Sequence, residues 1–376
     1  MSNKIKVVHV ISDTNIGGAG THLLVYLRNY DRENFLAEVI LPEDSRLIPE
    51  INKAGARCIE AKHIADRSFS LKGIASIKKI LLEIKPDIVH THGSFSARKA
   101  ARLAGNAKII CTRHSVFVPG AKDKFIIFKL FARLINNIFA DEIIAVSPAA
   151  KKNLEDTGTD GKKITVIYNG IDEIERLSDK DKKEAKKRFD LPDDSFVVST
   201  IGRLVEIKGH DYILDAAKII NREKNLGIIF VFAGDGPREV HLKTRIENEK
   251  ISGVVMAGFL PDVTQLMNIS DVILNASYGT EATGFSLLEG LCAGVPALAS
   301  DFGGNPYVVS DNANGLIFAQ KDGAAIADAV MRVYNDRRLL SKLSEGARLS
   351  YEKKFTSAEM IKKMEDVYYA HAKKRI

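Results

Sequence analysis

Cysteine is scarce in this 376-residue sequence: Cys58, Cys111 and Cys292 stand far apart, with no CxxC spacing. That argues against a disulfide framework and against a zinc site, and it favours a reducing compartment. Long apolar runs are missing too. Nothing approaches the ~20 consecutive apolar residues that cross a bilayer, and the opening MSNKIKVVHVIS lacks the apolar stretch of a secretion signal, reading instead as a buried strand. No tandem short repeat, low-complexity tract or nucleic-acid module is visible, and the basic stretches have no interleaved stacking aromatics. A DxD pair occurs once, Asp179 to Asp181, inside a lysine-rich run where it reads as solvated rather than as a metal site. The expected location is cytoplasmic, with no nucleic-acid partner.

What is present is ample material for two cores. Hydrophobic residues make up 45% and charged residues 27% of a chain long enough for two ordinary domains. The net charge of +7 collects in patches such as DKDKKEAKKRF and the terminal AHAKKRI. These read as solvated helix faces, or as attraction for phosphorylated substrates or acidic lipid heads. Short β-branched runs (KVVHVIS, AEVILP, DIVHTH, AKIICT, EIIAVS, ITVIYN) alternate with amphipathic segments, the pattern of a parallel sheet covered on both faces. Near residue 170 a polar stretch breaks the rhythm, which restarts with FVVSTIG, GIIFVFAG, VVMAG, DVILNAS, PALAS and GLIF. The reading is α/β: two doubly wound, Rossmann-like domains, residues 1–170 and 171–356, facing across a cleft. A helix at 357–376 returns to the first domain. Ligands in such folds sit at the carboxyl ends of the strands.

The chemistry-bearing residues fall at those ends. In DTNIGGAGTH, Gly17, Gly18 and Gly20 open the first helix without side chains, so its free N–H groups can meet an anion. The spacing is not GxGxxG, which leaves a dinucleotide fingerprint unsupported. In GRLVEIKGHD, Arg203 and Lys208 set two cations at a strand end, where they can clamp a diphosphate and stabilise it as it departs. EATGFSLLE sets Glu281 and Glu289 eight positions apart across a strand-to-helix turn at Gly284, with the helix starting at about Thr283 or Gly284. A carboxylate is a bidentate acceptor for a vicinal diol, so Glu289 suits a ribose and Glu281 a sugar. Glycine turns, two cations, a helix terminus and two acids together match a nucleotide diphosphate sugar.

At these residues the sequence resembles a retaining glycosyltransferase of family 4 with the GT-B fold, and within it the bacterial capsular and cell-envelope polysaccharide transferases. The resemblance spans nearly the whole length: GGAGTH, CTRH, IYNGID, GRLVEIKGHD, AGDGP and EATGFSLLEGLCAGVPALASDFGG. It departs at Ala276, where the family has proline, and at Tyr307, where it has glutamate. The resemblance implies a donor-binding set of Gly17, Gly18, Arg203, Lys208, Leu260, Thr283, Gly284, Phe285, Ser286 and Glu289. It implies a catalytic set of His114, Arg203, Lys208 and Glu281, with His114 beside the donor sugar. A UDP-sugar is expected ahead of a GDP-sugar, no cofactor and no metal, and a glycan or lipid-linked acceptor.

A nucleotide-sugar epimerase or a phosphorylase of the same architecture remains an alternative, as does a non-catalytic glycan-binding partner subunit. A degenerate subunit usually loses its cations or acids, and all four are present. Finally, KDKFIIFKLFARLINNIFAD at 122–141 reads as a helix with Phe125, Phe128, Phe131, Ile135 and Phe139 at near-helical spacing and Lys122, Lys124, Lys129 and Arg133 alongside. One face can cover the first sheet while the other meets anionic lipid, so peripheral attachment to the inner face of the cell membrane is expected.

Overall fold

The structure is a computed structural model that describes residues 4–105, 107–117, 126–221 and 226–372. Lys122, Lys124 and Phe125 therefore lie outside the described residues. The chain divides into two units, residues 1–170 with 357–376, and residues 171–356.

The first unit holds seven strands: β1 (Ile5–Ile11), β2 (Phe35–Pro42), β3 (Arg57–Ala61), β4 (Ile88–His92), β5 (Lys108–Arg113), β6 (Glu142–Ala145) and β7 (Ile164–Val166). They lie in the order β3-β2-β1-β4-β5-β6-β7, all parallel. Side chains alternate across the sheet. Val7 and Ile11 enter one core with Leu23 and Leu27 of the helix Gly18–Asn29, while Val8 and Val10 enter another with Ile74 and Ile77 of the helix Leu71–Ile84. Both faces are thus covered, which is why β1 reads as an unbroken apolar run.

The second unit holds β8 (Phe196–Ile201), β9 (Ile228–Ala233), β10 (Val254–Gly258), β11 (Val272–Asn275), β12 (Ala297–Ser300) and β13 (Gly315–Phe318). Their order, β10-β9-β8-β11-β12-β13, is again all parallel. In both sheets the order reverses beside the first strand, between β1 and β4 and between β8 and β11. Loops leaving such a switch point diverge and leave a crevice at the strands' carboxyl ends.

The connector and the last helix complete the two units. The polar stretch after residue 170 is not a bare connector, because it contains the helix Asp179–Arg188, capped by Ser178. Leu177, Ala185 and Phe189 anchor that helix in the second unit's core. The helix Ser357–His371 belongs to the first unit, burying Met360, Ile361, Met364 and Tyr368 in the same core as Val7 and Leu23.

Of the residues picked out on the helix Ile126–Phe139, Phe131 is exposed and Ile135 and Phe139 are half-buried, and the Phe128 side chain lies outside the described ones. Ile126, Ile127, Leu130, Phe131, Leu134 and Ile138 are exposed, whereas Ile135 and Phe139 are half-buried, the Phe139 ring meeting Phe95 edge-on at 5.3 Å. Arg133 is paired with Asp160 at 3.0 Å.

Candidate functional site

In the second unit the selected residues gather where β8 and β11 end. Arg203 follows β8 by two residues and is exposed, its guanidinium making no ion pair among the described residues. A short 3-10 turn, Glu206–Lys208, then brings Lys208 back towards the sheet. Gly209 at φ 73° starts the helix His210–Ile220, and a Cβ there would collide with the Ala276 carbonyl on the neighbouring strand's exit. Only glycine combines that left-handed backbone with so close an approach.

Lys208 and Glu281, assigned separate ligands from the sequence, are each other's partner here. Lys208 Nζ donates to Glu281 Oε2 at 2.6 Å, and the same oxygen accepts from Ser277 Oγ at 3.0 Å and Asn275 Nδ2 at 3.4 Å. Glu281 is buried. Burial pushes its carboxyl up, but the Lys208 charge and the three hydrogen bonds outweigh burial and hold it below the usual range. The loop is also clamped from behind. Gly304 N donates to Glu281 O at 3.0 Å, and any Cβ on Gly304 would overlap the Ala282 carbonyl.

Four residues on, Phe285–Ala293 forms a helix with Gly284 as its N-cap, no side-chain cap and no acid in its first turn. Leu287 N and Leu288 N donate to Gly284 O at 3.1 and 3.3 Å, and the Phe285 and Ser286 N–H groups ahead of them stand at the positive end of the helix dipole. Thr283 is buried, and Phe285 and Ser286 are half-buried. Glu289 lies one turn in, half-buried, with burial and the nearby Asp262 carboxylate pushing its pKa up to about 7. Leu260 follows β10 and packs partly buried against the core, next to the exposed ring of Phe259. Asp179 and Asp181 lie exposed in the first turn of the helix Asp179–Arg188, whose cap, Ser178 Oγ, accepts from Asp181 N at 3.2 Å and donates to Asp181 Oδ2 at 2.6 Å.

In the first unit, Gly17 caps the helix Gly18–Asn29, and a side chain at Gly17 would meet open space. His114, one residue past β5, joins a group the sequence reading missed. His9, His22, His90 and His92 lie buried around it. His9 Nδ1 and His92 Nε2 are 3.2 Å apart, and His92 Nδ1 and His114 Nε2 are 3.0 Å apart. His90 sits between Tyr368 Oη and Thr112 Oγ1, each at 2.6 Å, and His22 Nδ1 meets Asn169 Oδ1 at 2.9 Å. Burial keeps all five below the usual histidine range, His9 at about 3 and His22 at about 4. His9, His90 and His92 converge within 4.8 Å, as a metal-binding trio would. Both His90 nitrogens are already engaged, however, and the other two rings bond each other, so the trio fits a hydrogen-bonded network better than a cation site.

Two family models match the chain. One, described as glycosyltransferase family 4, covers residues 16–174, and the other, glycosyl transferases group 1, covers residues 181–350. The chain belongs to the family 4 glycosyltransferases, with the GT-B fold. Among curated proteins it is similar to an Escherichia coli UDP-Gal:alpha-D-GlcNAc-diphosphoundecaprenol alpha-1,3-galactosyltransferase, 28% identical with 97% of each chain covered. Among solved structures it is similar to a glycosyltransferase from Rickettsia africae (TM-score 0.84, 23% identity, 99% of this chain and 100% of that one). It is also similar to Anabaena Alr3699/HepE in complex with UDP-glucose (TM-score 0.83, 19% identity, 97% and 100% covered).

For this family 4 glycosyltransferase the residues overlooked in sequence are supporting ones: Asn275, Ser277 and Gly304 around Glu281, and the histidines around His114. A signal for the latter existed. His9 in KVVHVI, the alternate His90 and His92 in VHTH, and His114 in TRH all fall on one face by strand register, where His9 faces His90 and Ile11 faces His92.

Proposed function

We propose that this glycosyltransferase moves a sugar from a nucleotide diphosphate sugar, a UDP-sugar ahead of a GDP-sugar, to a hydroxyl of a lipid-linked or glycan acceptor, with retention and without a divalent metal. The observation that carries this reading is the Lys208–Glu281 pair beside the uncapped helix terminus at Gly284. One crevice thereby offers a cation, an acid and helix N–H groups to a sugar diphosphate. Exposed Arg203 adds a second cation, and Glu289, one turn into the helix, is assigned to the ribose diol. The E. coli relative, named for UDP-Gal and a diphosphoundecaprenol acceptor, supports the donor and acceptor classes.

In the reaction, the bond from the anomeric carbon to the diphosphate oxygen breaks and the acceptor oxygen bonds to that carbon on the same face. The acceptor's proton passes to the departing diphosphate. No protein carboxylate nucleophile is then required. Lys208, Arg203 and the helix terminus stabilise the charge that develops on the diphosphate, a role worth about 2–4 kcal/mol per lost contact. The first unit, with Gly17, Gly18 and His114 at its strand ends, is assigned the acceptor side.

The location follows from the acceptor. An exposed apolar stripe on the helix Ile126–Phe139 suits the boundary of the bilayer that a lipid-linked acceptor occupies, and we assign the protein to the inner face of the cell membrane. A screen of UDP-, GDP- and ADP-sugars by thermal shift, followed by proton NMR of the product in excess EDTA, tests the reading. Stabilisation by a UDP-sugar and a product with the donor's anomeric configuration are expected. An inverted product, or activity lost to EDTA and restored by magnesium, would overturn the mechanism.

A further inference from the structure

Between Ile88 and Phe117 the sequence has no aspartate or glutamate, but it has Arg98, Lys99, Arg102, Lys108 and Arg113. The first unit balances these charges at one end of its sheet only. Arg102, late in the helix Phe95–Ala104, and Lys108, at the start of β5, both pair with Asp141, at 3.5 and 3.8 Å. Arg98 and Lys99, early in that helix, and Arg113, at the carboxyl end of β5, make no ion pair among the described residues. Aromatic rings stand where carboxylates would. Arg98 lies over Phe95 at 5.3 Å, Lys99 over Phe69 at 5.9 Å and Arg113 over Phe117 at 4.6 Å.

The fold makes these pairs one row. Ser96 N donates to Ser68 O at 2.8 Å and Ser70 N to Ser96 Oγ at 2.7 Å, which sets the Phe69 and Phe95 rings 6.1 Å apart. β4 and β5 are in register at His92 and Thr112, so Arg113 leaves the sheet beside the turn that enters the helix. A ring face attracts a cation without neutralising it. The donors are largely unengaged as well. Among the described residues Arg113 uses only Nε, on the Ser115 carbonyl at 3.2 Å, and Arg98 Nε is buried without a partner. Burial first, and then the Arg98 charge nearby, push the Arg113 guanidinium below its ordinary range. Like charges are thus held together at a cost that an anion would relieve.

Arg98 also donates to Asn136 Oδ1 at 2.9 Å, which ties the row to the helix Ile126–Phe139 with its exposed apolar stripe. Guanidinium groups fit phosphate oxygens two at a time. We infer that Arg98, Lys99 and Arg113 form an anion site of the first unit, which takes the phosphate or diphosphate joining the acceptor sugar to its lipid. The anion site stands on the geometry of the first unit; only its assignment to the acceptor rests on the proposed transfer reaction.

The test is a titration of the full chain, labelled with 15N-arginine, with inorganic pyrophosphate, read at the guanidinium Nε–H signals. Arg98, Arg113 and Arg203 are assigned by their loss in Arg98→Lys, Arg113→Lys and Arg203→Lys. With UDP already bound, pyrophosphate should still shift Arg98 and Arg113. Lys99→Gln with Arg113→Gln should weaken its affinity at Arg98 roughly tenfold or more. Shifts at Arg203 with none at Arg98 and Arg113 in wild type overturn the site and spare the donor reading. Shifts at Arg98 and Arg113 in a protein whose Arg203 answers neither pyrophosphate nor UDP keep the site and overturn the donor reading instead. An unchanged affinity in the folded double variant overturns the site equally. Two further arms separate the sources of phosphate. In transfer to a sugar on a decyl diphosphate and to the same sugar as a decyl glycoside, the double variant should cut the preference for the diphosphate roughly tenfold or more. Flotation with phosphatidylglycerol vesicles should be the same for variant and wild type. Flotation lost with acceptor preference unchanged would make the row a reader of lipid headgroups and overturn its assignment to the acceptor.

Discussion

Lys208 and Glu281 were legible in the sequence as a cation and an acid at strand ends, but not as partners 73 positions apart. Spacing reports which residues reach the crevice. It does not report which of them meet when no ligand is there. Their pairing changes what substitution does. Glu281 is only 7% exposed and Lys208 29%, so Lys208→Ala strands a buried carboxylate. That should cost on the order of 3 kcal/mol of stability, besides abolishing most transfer. Lys208→Met with Glu281→Gln removes both charges and should recover most of the stability while remaining inactive. Urea unfolding beside a donor assay separates the two effects. A Lys208→Ala protein as stable as wild type would mean that the pair is open in solution.

Among elements, the strands read most clearly, because each central strand is covered on both faces and shows as a continuous apolar run. β3 escaped notice for the opposite reason: it is an edge strand, paired only with β2, and its RCIEA is half polar. The helix Ile126–Phe139 was legible as a helix but not in its orientation. The phenylalanine-spaced set splits: Ile135 and Phe139 pack partly inward, whereas Phe131 stands exposed with Ile127, Leu130, Leu134 and Ile138. With Arg133 already paired to Asp160, apolar contact rather than charge should carry most of any membrane binding. Burying one large apolar side chain is worth about 1.5–3 kcal/mol. Leu130→Asp with Phe131→Asp should therefore weaken binding to phosphatidylglycerol vesicles by at least about tenfold, with little change in melting temperature. Flotation measures it. Equal recovery of variant and wild type with the vesicles would exclude this helix as the contact.

At the scale of the whole chain, the two units should respond to acid differently. In the first unit, burial lowers the pKa of His9 to about 3 and of His22 to about 4, and holds His90, His92 and His114 well below their ordinary value. Between pH 6.5 and these lowered values the unfolded chain binds more protons than the folded one. Stability is therefore complete above about pH 6.5 and is lost as pH falls, at a limiting slope of about 1.4 kcal/mol per pH unit for each histidine. The second unit contains opposing groups. His210, lowered to about 4 by burial and by Lys208, acts in the same sense. Glu289, raised to about 7, acts in reverse: its folded form binds the extra proton between pH 7 and 4.5, and so gains stability as pH falls. The Glu281 carboxyl, held low, matters only below its ordinary range. Acidification from pH 7 to 5 should thus weaken the sheet of β1 and β4 while leaving that of β8 and β11 nearly unchanged. Urea titrations read peptide by peptide through hydrogen exchange, corrected for the intrinsic pH dependence of exchange, would follow the sheets separately. Glu289→Gln should make the second unit more acid-sensitive by removing the compensating carboxyl. Equal shifts in both sheets at pH 5 would show that the histidine row is wetter, and more readily protonated, than its burial implies.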